Sequence, residues 1–195
     1  MNEQDLFILA DTTLLGVINQ IHSDQWAMTM PPDFPTWDPN ATITLREVIN
    51  YHAYDEAWVP DTLSGKTIEE VGKAHDGDLL GDDPKQSFTR YVDAAVAAVR
   101  NLDDLDGIVH LSYGDFPARE YLWHITSFRG LRVHDIAKAI GIDSNLPSDL
   151  TQGLWDQISP HAEEWRALGV FGPKVDVPED APLQDRLLGL TGRQP

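Results

Sequence analysis

The sequence predicts an all-α fold, an antiparallel bundle of four main helices with short extra helices and long loops. Three observations predict it. Four stretches space their apolar residues three and four apart, the period of one helix face. Helix-start and helix-stop residues flank those stretches. No segment alternates apolar and polar residues as a strand would, and no internal repeat is present. A chain of 195 residues with 42% hydrophobic residues can bury one core, so a single domain spanning 1–195 is expected.

The first helix is expected over Asn2 to Ile21, with Leu6, Leu9, Thr13, Val17 and Ile21 on one face and Leu14, Leu15 and Ile18 widening it. Four prolines in MTMPPDFPTWDPNAT then forbid a helix. Trp26, Phe34 and Trp37 are available to pack this connector down. Thr44 and Glu47 have capping-box spacing and open a helix carrying Leu45, Val48, Ile49 and His52, with Pro60 at its expected end. GKTIEEVGKAHDGDLLGDDP reads as a long surface loop with one helical turn.

Asp83-Pro84 is an N-cap followed by proline at the first helical position. Phe88, Tyr91, Val92, Ala95, Val96 and Val99 continue that helix to about Arg100. Val109, His110 and Leu111 make a brief extended piece within a turn-rich stretch. Pro117 starts the longest helix, which Gly141 stops. A shorter helix from Ser148 to Ile158 follows, and the segment 170–195 holds enough apolar anchors to wrap back onto the bundle.

Composition excludes several function classes. With 14 Lys and Arg against 32 acids, a formal charge of −18 disfavours nucleic acid and an anionic membrane surface as partners. There is no cysteine, so thiol chemistry would need a thiol from a small molecule. No apolar run is long enough to span a bilayer, and MNEQDLFILADTTLLG lacks the basic start of a signal peptide. A cytoplasmic address is the expectation.

His52 is the foremost candidate for chemistry, because helical spacing aims it inward with Val48 and Ile49. A buried imidazole serves as metal ligand, general base or satisfied core residue. Asp55 and Glu56, one turn on, could orient it or add a carboxylate. The long helix offers His124 at the edge of its apolar stripe and His134, which a 100° step places on the solvent side. Arg132 falls within the stripe, beside Ile125, Phe128 and Ile136. A buried arginine calls for a carboxylate partner, an anionic ligand, or a stem that snorkels outward.

Five segments taken together resemble a family. They are the connector Pro31 to Asp38, the helix Leu45 to His52, VGKAHDGDLLGDDP, HDIAKAIG and the tail FGPKVDVP…DRLLGLTGRQP. Their order and spacing are similar to the actinobacterial branch of the DinB-like superfamily that includes the N-terminal domain of mycothiol-dependent maleylpyruvate isomerase. The resemblance implies a DinB-like bundle with zinc or nickel near one end, a mycothiol-type thiol as co-substrate, and a homodimer. It implies one histidine ligand from the second helix, matched by His52. Two more ligands are implied four positions apart on a later helix, and anchoring on Asp135-Ile136-Ala137 puts Phe128 and Arg132 there. Arginine offers a cation no lone pair and phenylalanine has no ligand atom. A two-residue slip would restore His134 but turn the helix by about 200°; Gly130 is where such an irregularity would sit.

The sequence thus points to a bundle whose metal centre is lost, with Arg132 near a pocket formed with Phe128, Asp55 and Glu56 and holding an anionic group. A small, anionic molecule is the partner this implies. Two alternatives stand beside it: an active metal enzyme using His52 with His124 or His134, and a scaffold or dimerisation module without catalysis.

Overall fold

The computed structural model of the protein describes residues 1–36 and 42–195; Trp37 lies outside them. Helix α1 (Glu3–Ile18) begins where the Asn2 side chain accepts from the Asp5 amide, and ends one turn before the expected Ile21. Ile21 is nevertheless buried in the core. The connector is pinned to the start of α2 (Leu45–Leu63) by backbone bonds from Met30 to Ile43 and from Leu45 to Met28, both 2.9 Å.

The Thr44–Glu47 capping box is formed in both directions. Pro60 does not end α2, which runs to Leu63 with the proline inside its last turn. There the missing N–H leaves only one carbonyl unbonded, and Gly65 makes the turn at φ 78°. The acidic loop contains one short helix, α3 (Ile68–Val71), and Asp83 caps α4 (Pro84–Arg100).

Strands β1 (Ile108–Leu111) and β2 (Gly114–Pro117) form an antiparallel hairpin in which Val109 faces Phe116 and His110 faces Asp115. The hairpin feeds α5 (Ala118–Ile140), which ends at left-handed Gly141. Three further helices follow: α6 (Ser148–Ile158), α7 (Ala162–Ala167) and α8 (Leu183–Leu190). Among the described residues the fold is therefore mainly helical, and no helix is long and apolar enough to cross a membrane.

Helix α1 packs against both α4 and α5, and α2 packs against α4. Side chains of α2 and α5 also meet in the interior, closing the four longest helices around shared core residues such as Leu14, Ile49, Val92 and Ile136. Burying each such side chain contributes about 1.5–3 kcal/mol. Helix α6 covers α5 and α8 covers α6. Gly130 permits the first contact, since a Cβ there would meet Leu154 Cδ1 at 2.7 Å. Helix α5 is unbroken through Gly130, so the glycine serves close packing and no slip in register occurs.

The expectation that His134 faces solvent is incorrect: it is only 4% exposed. Residues 129–137 of α5 are buried on every side, because α6 and the C-terminal segment cover the back of the helix that a four-helix count leaves open. Ser144 supplies a carbonyl 3.1 Å from His134 Nδ1. The end of the C-terminal segment is bonded to α5. Arg193 donates twice to Asp135, at 2.8 and 2.9 Å, and Lys138 Nζ donates to the Gln194 carbonyl at 2.9 Å.

Candidate functional site

The interior of the bundle holds a polar cluster contributed by α1, α2 and α5. Asp11 projects from the apolar stripe Phe7–Leu14–Ile18 of α1, His52 and Glu56 from α2, and Arg129 and Arg132 from α5. Asp11, Glu56 and Arg129 are all fully buried. Arg129 Nε lies 2.7 Å from Glu56 Oε1 and 3.3 Å from Asp11 Oδ1, although no N–H direction of the guanidinium meets a carboxylate oxygen at hydrogen-bond geometry. Charge proximity, more than aligned hydrogen bonds, holds the group.

Burial pushes the Asp11 carboxyl up to about 6 and Glu56 well above its ordinary range, against the opposing pull of Arg129. The two carboxyls lie within hydrogen-bonding reach of each other, and that bond exists only when one carries a proton. The raised values favour one of the two acids keeping its proton opposite Arg129. Burial by itself would lower the Arg129 value, but Asp11, Glu56 and Asp55 raise it, so it stays charged.

His52 sits beside this cluster with its ring 5.1 Å from Phe128, tilted by 30°, and neither ring nitrogen has a hydrogen-bond partner. Burial, then Arg132 and Arg129, hold it well below the usual imidazole range, so it is neutral. Arg132, 5% exposed, is clamped between the rings of Phe34 and Phe128, 4.7 and 4.9 Å from their centroids. Its Nη1 donates to Asp135 Oδ2 at 3.3 Å. The carboxylate partner expected of a buried arginine is supplied by Asp135, which Arg193 shares. Burial lowers Arg132 to about 10, which leaves it cationic at neutral pH.

A cleft of about 420 Å³ opens between α2, α5 and the hairpin. Its lining combines Asp55, Phe128 and His124 with Tyr51, Tyr54, Trp58, Tyr113 and Tyr121. Asp55, on the α2 turn after His52, is pushed up to about 6 by burial, against Arg129 and Arg132, and neither arginine closes to an ion pair with it. Tyr113 Oη lies 3.3 Å from His124 Nδ1, and burial lowers the His124 value.

Among the residues expected from sequence, the structure therefore brings Asp55, Phe128 and His124 to the cleft, and places His52, Glu56 and Arg132 in the interior behind it. His134 stands apart, beside a smaller cavity of about 220 Å³ that Asp135 and Arg193 also line. Among the described residues no three His, Asp or Glu side chains are grouped to hold a metal ion. At His52 the Phe128 ring and the positive charge of Arg132 and Arg129 work against a divalent cation, although the Glu56 carboxyl lies one turn on along the same helix.

Sequence reasoning missed Asp11, Arg129 and most of the cleft. Asp11 did leave a signal, an acid at an i, i+4 position within an otherwise apolar face. Trp58 and Tyr113 left none, because the cleft joins a helix to a hairpin more than fifty residues downstream. No family model, no curated protein and no solved structure matches the chain.

Proposed function

We propose that this chain is a small-molecule-binding bundle of DinB-like descent, in which an internal network of arginines and carboxylates stands where a divalent metal would be held. The observation that carries this reading is the surroundings of His52. Its unpaired imidazole faces Phe128, and two cationic arginines depress its protonation. A second cation at that point would meet like charge in a low-dielectric interior, where repulsion is strongest.

The anionic group held by Arg132 is, on this reading, the chain's own Asp135. An external anion would have to displace that carboxylate and enter between two aromatic rings. The ligand site is instead the cleft lined by Asp55, Phe128 and His124. Thiol activation of the zinc or nickel kind is disfavoured in this reading, since of the three inferred ligand positions only His52 carries a donor, while Phe128 and Arg132 offer a metal none. A scaffold role explains the buried charges but not the open aromatic cleft.

Urea unfolding of the wild type and His52→Leu, each with EDTA and with excess zinc, tests the reading. The midpoints are expected to be indifferent to zinc. The variant should be at least as stable as the wild type, since two unpaired buried nitrogens cost about 1–3 kcal/mol. A wild-type midpoint that rises with zinc while the variant's does not would contradict the proposal.

A further inference from the structure

Three features of the cleft bear on what it takes up. Among the described residues its lining contains no lysine or arginine, and Asp55 is the one carboxylate. Aromatic rings dominate the walls, with Tyr54 and Trp58 centroids 6.0 Å apart and Tyr51 and Phe128 6.2 Å apart. The rim is also unusually apolar for surface: Tyr51, Ile68 and Tyr113 are among the exposed large hydrophobic residues of the described chain, and all three stand here.

Aromatic faces carry negative quadrupole charge and attract a cation within about 6 Å of a ring centroid. A carboxylate at the base supplies the full counter-charge. Asp55 makes no hydrogen bond or close ion pair with any described residue, and Arg129 and Arg132 act on it only at longer range; its charge also bears on Tyr51 and Tyr113 of the lining. An anionic ligand would find neither a cationic side chain on the wall nor a favourable field around a protein of formal charge −18.

We infer that this cleft binds an organic monocation, an amine or quaternary ammonium, with Asp55 as its counter-charge and Tyr51, Tyr54, Trp58, Tyr113 and Phe128 as its aromatic cage. The inference rests on the reading of the cleft as the ligand site and adds the class of ligand. At about 420 Å³ the cleft is larger than a simple ammonium head, so the natural ligand carries a further apolar or polar body.

Choline and its uncharged isostere 3,3-dimethylbutan-1-ol provide the test, with benzoate as the anionic comparison. Each is titrated into the full chain by ¹H–¹⁵N NMR, with the Trp58 indole cross-peak as reporter. Choline is expected to bind about tenfold or more tightly than the alcohol, the discrimination that cation–π and carboxylate contacts supply. Asp55→Asn should abolish that ratio while leaving the alcohol's affinity unchanged. Because Asp55 adjoins the buried cluster, Tyr113→Leu on the 62% exposed rim gives a second variant that does not threaten the fold, and it should weaken choline alone. Equal affinity for choline and the alcohol, preference for benzoate, or undiminished choline binding in both variants would overturn the inference. These titrations are independent of zinc, so their failure leaves the metal-free interior standing, and a metal-binding result leaves them readable.

Discussion

Arg129 faces the charges of Asp11, Glu56 and Asp55 from a position with no exposure. Replacing it with methionine strands buried carboxyls, and a loss of about 3–5 kcal/mol is expected in urea unfolding. Glu56→Gln should behave differently, because an amide can donate to Asp11 without a titrating proton. The raised Asp11 and Glu56 values set the sign of the pH dependence. The folded state holds protons that the unfolded chain releases near pH 4, so Asp11's contribution is complete below that point and lost as pH rises to about 6, and the loss carried by Glu56, held well above its ordinary range, extends with it. Glu56→Gln removes this loss. Its stability relative to the wild type should therefore improve from pH 5 to pH 8, as measured by paired urea titrations. A flat difference over that range would mean that both acids are already ionised in the folded state. The exposed carboxylates held low by capping or ion pairs, such as Glu47 and Asp78, cancel in that difference.

Individual elements explain which parts of this arrangement could be foreseen. Caps and prolines are local, so the Thr44–Glu47 box, the Asp83–Pro84 start and the Gly141 stop all formed where their residue types place them. The face of α5 was only half legible. Its stripe correctly buried Arg132, but the burial of His134 depends on α6 and on a tail more than fifty residues away. Helical periodicity records one apolar face and is silent about a second layer. The tail's attachment rests on Arg193, whose two bonds to Asp135 complete the charge balance of Arg132. Arg193→Ala should cost about 2–3 kcal/mol and speed proteolytic loss of the C-terminal segment without changing cleavage elsewhere. Uniform loss of protection along the chain would mean that the tail is integral to the core.

At the scale of the whole molecule, the acidic composition argues against nucleic acid as a partner and agrees with the cationic ligand inferred for the cleft. The cleft itself was not legible, because its residues come from α2, the hairpin and α5, and only folding brings them together. His52 and Arg132 were singled out correctly as interior residues, yet their neighbours Asp11 and Arg129 decide what the interior can hold. On the proposed reading that interior is a charge network around a neutral imidazole, standing in place of a metal centre. Elemental analysis of the untagged protein, after zinc and nickel loading and desalting, tests this most directly. The account predicts no retained metal in the wild type or in His52→Leu; near-stoichiometric zinc or nickel in the wild type, lost in His52→Leu, would contradict it.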